Sequence, residues 1–248
     1  MGEAECVLAG GVESMSRAPY VLAKANKAFP VGGLEAQDTC LGWRFKNPKL
    51  EALFPLEAMG CTAENLADDY QISREAQDAF ALNSQAKALN AIEAGAFRRE
   101  IVPVEVAYRK HTETVDTDEG PRQGSNLESL ARLRAVFRSG GSVTAGNSST
   151  LNDGAAAVII CSRAFAERNQ LTIRARIRSV GSAGVDPTRM GIGPVPASRL
   201  ALKRAGLSVG DLDLIELNEA FAVQSLACIQ ELKLDEAKVN IRGGAIAL

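Results

Sequence analysis

The stretch LIELNEAFAVQS, residues 214–225, constrains the fold more than any other part of this chain. Residues 212–217 form an apolar run that predicts a strand. From Glu219 the period changes, and Phe221, Ser225, Cys228 and Leu232 recur on one face of a helix running to Leu232. No linker separates the two patterns, so strand and helix belong to one packed unit. The switch falls on Asn218-Glu219, at the carboxyl end of the strand, where layered α/β folds gather ligand chemistry. Asn218 also fits a helix N-cap, and Glu219 a first-turn charge favoured by the helix dipole. The residues alone leave both readings open.

The remaining pattern is α/β. Residues 4–9 predict a short buried strand ending at Gly10-Gly11, and Ala155 to Cys161, apolar on both faces, a central strand. Ile101–Val106 and Thr172–Val180 alternate like strands. Helices are expected from Ala63 to about Tyr70 behind a Thr62 cap, and from Ser73 to Gly95 with the stripe Ala79, Leu82, Ala86, Leu89. Others follow a capping box over Ser125–Glu128 through Leu133, and span Pro196 to Gly206. From about 14 to 58, prolines at 19, 30, 48 and 55 break every period, which predicts a long loop-rich excursion. Elements alternating in this way build a layered architecture.

Bulk properties exclude several classes. A net charge of −2 supplies no basic field for nucleic acid, and 5% aromatic residues supply no base-stacking surface. No apolar stretch reaches the ~20 residues of a membrane helix and no signal peptide opens the sequence, so no membrane partner and a cytoplasmic location are expected. Five cysteines without CxxC spacing argue against a disulfide framework or zinc, so no metal site is expected. Cys6, Cys161 and Cys228 fall at apolar positions and read as inert packing, and Cys40 lies in a loop without a visible partner. Cys61, ahead of a helix start, has the setting of a lowered thiol pKa but no histidine base beside it. The one histidine, His111, follows Arg109-Lys110 in a charged segment and reads as a solvated hairpin residue. Neither GxGxxG after a strand nor GxxxxGK[ST] is present.

Several segments, in order and over essentially the whole chain, resemble the thiolase family of acyl-CoA acyltransferases. They are LAGGVESMSRAPY, TAENLADDYQISREAQDAFALNSQAKA, VTAGNSSTLNDGAAAVIICS, GVDPTRMGIGPVPASRLAL, LIELNEAFAVQSLA and VNIRGGAIAL. LGWRFKNP and VDTDEGPR look most like 3-oxoadipyl-CoA/3-oxoacyl-CoA thiolases of degradative pathways. The resemblance implies an α/β layered thiolase fold of two similar βαβ-rich halves, α-β-α-β-α, with an inserted loop domain and truncated at both ends. Residues 1–13 and 152–171 would belong to the N-terminal half, 14–151 to the inserted loop domain and 172–248 to the C-terminal half. It also implies coenzyme A as substrate, no permanently bound cofactor, CoA thioesters as partners, and a homodimer or homotetramer in the complete protein.

By residue, the resemblance gives Asn218 the catalytic role: holding a water that, with a histidine, forms an oxyanion hole for the thioester oxygen of an enolate. Charge developing on that oxygen needs fixed donors in a dry site. Glu219 would orient its neighbours rather than act as base. Ser149 and Ala145 would line the pantetheine tunnel, Arg122 and Phe137 would hold the nucleotide end of CoA, and Met59, Met190 and Phe221 the acyl side. Met59 and Met190 equally suit plain core filling. Arg44, within GWRFKNP, could clamp a distal carboxylate, or point to solvent while Trp43 and Phe45 pin the loop.

The chain also departs from the family pattern. The family's nucleophilic cysteine would lie before Met1, and its Gly-His-Pro histidine and acid/base cysteine after Leu248, so the chain reads as an internal segment without thiolysis of its own. Arg242 stands where relatives usually carry Asn, and Ala58 where biosynthetic relatives carry His. A rival reading is a non-catalytic thiolase-like acyl-CoA or lipid-binding protein, and another is an assembly or scaffold piece. A cavity shared by Asn218, Ser149, Met190 and Phe221 is expected if the resemblance holds.

Overall fold

The computed structural model describes residues 3–248. In chain order its elements are β1 (Cys6–Ser14), β2 (Tyr20–Leu22), β3 (Ala36–Asp38), α1 (Pro48–Glu51), α2 (Met59–Tyr70), α3 (Arg74–Glu93) and β4 (Val104–Ala107). There follow β5 (Thr112–Val115), α4 (Leu127–Ala131), β6 (Asp153–Cys161), α5 (Arg163–Arg168), α6 (Pro194–Ala205) and α7 (Ala222–Leu232). The strands pair antiparallel two by two: β1 with β6, β2 with β3, β4 with β5.

Helix α7 is the centre of the packing. Ala222, Val223, Gln224, Ser225, Ala227, Cys228, Ile229 and Leu232 are all buried, so it is covered nearly all round, by α2, α3 and α6. Val223 and Ala227 join Ala63, Leu66 and Val143 in one apolar cluster, while Cys228 and Leu232 join Val195 in another. Val223, Ile229 and Leu232 contribute roughly 1.5–3 kcal/mol each by leaving water. Of the stripe read from the sequence, Ser225, Cys228 and Leu232 are on the buried face, which widens to most of the helix. Helix α7 begins at Ala222 instead of Glu219, and Phe221, half-buried, is its N-cap residue.

The face of α3 differs from expectation. Ala79 and Ala86 are exposed and Leu82 and Leu89 half-buried; the buried face is Gln77, Asp78, Ala81, Ser84, Gln85, Ala88 and Ala91. Its polar members are covered because loops bring them partners. Gln77 Nε2 donates to Ser142 Oγ at 2.9 Å, and Asn147 Nδ2 to Asp78 Oδ1 at 3.0 Å. Ser73 caps α3 as expected, accepting from Ala76 N–H, and α6 stops before Gly206 in the left-handed region. Helix α2 begins earlier than the sequence suggests, at Met59, because the Thr62 hydroxyl bonds back to Met59 O instead of capping. The capping box on α4 sits one residue on, between Asn126 and Ser129.

Several strand expectations are corrected. The β1–β6 ribbon is neither buried nor central: Leu8 is 73% exposed, Val12 81% and Ile159 69%, since no third strand or helix covers either face. Cys6 is accordingly exposed and Cys161 only half-buried. Strand β1 also runs straight through Gly10-Gly11. Residues 172–180 and 212–217 form no strand, because no neighbouring segment offers them a ladder; only Ile215 makes a single parallel bridge, to Val239. The β4–β5 hairpin carries His111 near its turn as expected, stacked on Tyr108 with centroids 4.9 Å apart.

Buried carboxylates fix the loops to this helical centre. Glu64 in α2, fully buried, accepts Ser142 N–H at 2.9 Å and Val143 N–H at 2.8 Å, plus Ser142 Oγ at 3.1 Å. Replacing it by Ala strands two main-chain donors at ~1–3 kcal/mol each, so Glu64→Ala should lower unfolding stability by roughly 2–4 kcal/mol in urea titration. An unchanged midpoint would remove this role from Glu64.

Burial also sets a pH dependence. It pushes the Cys228 thiol up from 9.0 to about 11. The folded state therefore favours the neutral thiol; below pH 9 both states keep the proton and nothing is lost. Between pH 9 and 11 only the unfolded chain ionises, so stability falls by up to roughly 2–3 kcal/mol. Thermal melts of the native chain and Cys228→Ala across that range should diverge, the variant declining less.

Candidate functional site

The site is built where the interrupted strand meets α7. Ile215 N–H donates to Lys238 O and its carbonyl accepts Asn240 N–H, each at 2.9 Å. The Asn240 side chain supplies the next rung: Leu217 N–H donates to Asn240 Oδ1 and Asn240 Nδ2 to Leu217 O, both at 2.7 Å. A side chain thus replaces the main chain of a neighbour, and the ladder ends there. The following residues turn. Glu219 goes inward, 1% exposed, while Asn218 stays exposed.

Glu219 accepts Ser84 Oγ at 2.6 Å, Asn240 Nδ2 at 2.8 Å and Ile246 N–H at 3.2 Å. Its carboxylate therefore orients neighbours. Asn218 does not cap α7, whose N-cap position is Phe221. Residues 147–149 hold the other side: Ser149 N–H donates to Ala220 O at 3.0 Å, and Ala222 N–H to Asn147 O at 2.9 Å. Asn147, fully buried, accepts Thr144 N–H at 2.8 Å and donates to Asp78 and to Ser142 O, which fixes that loop against α3.

A cavity of about 190 Å³ opens between α2, the turn at 187–194 and residues 217–224. Met59 and Thr62 line it on one side, Met190 on another, and Asn218, Phe221 and Gln224 on the third. Four residues singled out from the sequence, Met59, Met190, Asn218 and Phe221, thus meet in one space. Phe137 stands behind them: its ring meets Phe221 edge-on at 5.9 Å and lies over Gly60, where a Cβ would fall 2.2 Å from it.

Other candidates lie elsewhere. Ser149 is exposed and does not line the cavity, contrary to expectation, although its main chain pairs with Ala220 beside it. Ala145 is exposed, and Arg122 is exposed with its main chain tied to Gln85 Oε1 at 2.8 Å; neither lines the cavity. Arg44 folds back on Gly42 O at 2.6 Å, while Trp43 donates to Glu57 O at 2.8 Å.

No cysteine or histidine lines the cavity. Cys61 is half-buried, its Sγ 3.7 Å from Phe137 O. Cys228, behind Gln224, is held as a neutral thiol by burial. Among the described residues no group of His, Cys, Asp and Glu could hold a metal. Sequence reasoning missed Glu64, Asn147, Asn240 and Gln224. Each is a polar side chain inside a protein interior, and only its partners distinguish it from a surface residue.

Comparison with known proteins bears on the family and the fold. The thiolase N-terminal domain model matches residues 1–164 and the thiolase C-terminal domain model residues 171–248. The chain is 53% identical over 249 residues to the beta-ketoadipyl-CoA thiolase of Pseudomonas aeruginosa, covering 100% of this chain and 62% of that protein. It is 51% identical over 250 residues to the 3-oxoadipyl-CoA/3-oxo-5,6-dehydrosuberyl-CoA thiolase of Escherichia coli K12, with the same coverage. Its fold matches a Bacillus anthracis acetyl-CoA acetyltransferase with a TM-score of 0.91 at 43% identity, and human mitochondrial 3-ketoacyl-CoA thiolase in complex with CoA with 0.90 at 44%. It covers 100% of itself in both, and 61% and 60% of those chains. The chain spans about 62% of the length of the curated relatives it matches. Its α/β fold is the thiolase fold, and the chain belongs to the thiolase family.

Proposed function

We propose that this chain carries the acyl-CoA site of a degradative thiolase acting on 3-oxoacyl-CoA, with 3-oxoadipyl-CoA as the favoured substrate. The observation that carries the reading is the meeting of Asn218 with Met59, Met190 and Phe221 around one cavity in a chain of this family. The names of its relatives, which include beta-ketoadipyl-CoA thiolases, support the substrate class. In the complete protein a cysteine thiolate attacks the 3-oxo carbon, and the Cα–Cβ bond breaks to leave acetyl-CoA as its enolate. That enolate takes a proton, and the acyl group then passes from sulfur to a second CoA. Asn218, through a water, stabilises charge on the thioester oxygen, as a fixed donor at a largely apolar site does. Ser149 and Ala145 follow the pantetheine, Arg122 and Phe137 the nucleotide end, and Met59, Met190 and Phe221 the acyl group. Residues 1–13 and 152–171, 14–151, and 172–248 form the N-terminal half, inserted loop domain and C-terminal half, in a cytoplasmic homodimer or homotetramer.

The 248-residue chain on its own binds CoA thioesters without turning them over. Thiolysis needs a thiolate beside a base, and the cavity offers neither. Losing a nucleophile typically removes on the order of 10⁶ in rate. Incubated with acetoacetyl-CoA and CoA, the purified chain should release no acetyl-CoA above background. Turnover abolished by Cys61→Ser would instead make Cys61 the nucleophile. Calorimetric titration with acetoacetyl-CoA should give saturable binding, weakened at least several-fold by Phe221→Ala; absence of binding of both CoA and its thioester would refute the acyl-CoA reading.

A further inference from the structure

Strands β1 and β6 place two cysteines opposite each other. Their antiparallel register pairs Cys6 with Cys161, at the end of the ladder where α5 begins. The two residues lie far apart in sequence, so no spacing motif links them, and the pairing is a product of the fold. Both are free thiols, Cys6 exposed and Cys161 half-buried. Cys40, Cys61 and Cys228 lie outside the strands.

The kind of pairing decides whether two such side chains can be joined. Just beyond the ladder, Ser162 N–H donates to Glu5 O at 2.8 Å. Glu5 and Ser162 are therefore a hydrogen-bonded pair. Antiparallel ladders alternate, so the next pair, Cys6 with Cys161, is a non-hydrogen-bonded one. In pairs of that kind the Cα atoms are ~4.5 Å apart, and the two side chains leave the same face close together. Disulfides bridge Cα separations of about 4.4–6.8 Å and Cβ separations of about 3.5–4.5 Å.

The ribbon itself shows how close the approach is. Gly10 and Ala157, four residues further along each strand, are a pair of the same kind on the same face. A Cβ placed on Gly10 would lie 3.3 Å from Ala157 Cβ, so this face brings opposed Cβ atoms within disulfide reach. The end of the ribbon is also held in register, since Arg168 of α5 pairs with Glu5, Nη2 to Oε2 at 2.8 Å. On the cysteines' face Leu8, Val12 and Ile159 are all exposed, and no layer of protein keeps reagents away.

We infer that Cys6 and Cys161 are an oxidative modification site, joined reversibly by a cross-strand disulfide when the chain meets a low-molecular-weight disulfide such as oxidised glutathione. Cys6, the more exposed, attacks one glutathione sulfur as its thiolate and expels the other glutathione. Cys161 then attacks the Cys6 sulfur of the mixed disulfide and expels the second. Two protein thiols are oxidised to one disulfide, glutathione disulfide is reduced to two thiols, and the two protein protons end on glutathione. Exposed disulfides are the readily reduced ones, so the link reverses. It fastens β1 to β6 in the part of the molecule that nothing else covers. The site is independent of the acyl-CoA reading.

The test treats the native 248-residue chain with one equivalent of oxidised glutathione, then with dithiothreitol. Protein thiols, counted after unfolding, should fall from five to three and return to five. A tryptic map of the oxidised chain, made without reductant after free thiols are blocked, should show peptide 1–17 joined to peptide 139–163, each holding a single cysteine. The oxidised chain should melt at least ~4 °C above the reduced one, because the link restrains the unfolded chain, and Cys161→Ser should abolish that gain. Three results on the native chain overturn the inference, whether or not the variant folds. They are five thiols that persist, a glutathione adduct on Cys6 that Cys161 does not displace, and a link from either cysteine to another cysteine or another copy. An oxidised chain that melts no higher than the reduced one overturns it as well.

Discussion

The carboxylate of Glu219 is the contact on which the site depends. Buried and one residue from Asn218, it is held by a hydroxyl from α3, an amide from Asn240 and a main-chain N–H from Ile246. A charge withdrawn from water is tolerable only when its lone pairs are occupied. The arrangement therefore locks three distant stretches of chain to the start of α7. Gly244 N–H closes the group by donating to Ser84 Oγ at 3.1 Å. Fixing Glu219 inward fixes its neighbour Asn218 outward, toward the cavity.

The same device recurs on the opposite side. Glu64 gathers the main chain at 142–143, and Asn147 ties the loop after it to Asp78. Both loops end against Phe221 or Ala222, through the Ser148–Phe221 bridge and the Asn147 carbonyl. The cavity wall is thus set by polar side chains satisfied behind it, while its inner surface stays largely apolar. Such division is the usual build of a small-molecule site: apolar surface takes the body of a ligand, and a few placed polar groups fix its orientation. Gln224 is the exception in this economy, a buried amide whose second polar atom has no protein partner.

Away from the helical centre the molecule is open. The β1–β6 ribbon carries apolar residues on both faces and shields neither, so its sequence describes a strand inside a covered sheet while this chain provides only one neighbour. The family models nonetheless extend across both ribbon strands, and the fold superposes over the whole chain. The ribbon and the site belong to one architecture and differ in how much of it the chain itself covers.

Several things were legible in the sequence alone. Most of the buried face of α7, the Ser73 cap, the end of α6 and the exposed hairpin around His111 all follow from local rules of spacing and capping, which act over a few residues. The strand-to-helix switch expected at Asn218-Glu219 does not, since 212–217 form no strand and α7 begins at Ala222. The thiolase resemblance, carried by contiguous motifs, was readable for the same reason. Tertiary structure decided the rest. The buried face of α3 is polar, and no periodicity of apolar residues announces a face whose partners are loops 60 or more positions away, such as Ser142 for Gln77. Residues 212–217 read as an apolar strand, yet a ladder needs a neighbour, and residues 238–240 supply one only at Ile215 and, through the Asn240 side chain, at Leu217. Whether Ala155–Cys161 is covered, and whether Glu219 caps a helix or binds three segments together, depend on contacts between residues remote in sequence. Local pattern sets what each segment prefers; long-range pairing of buried polar groups sets where each side chain ends.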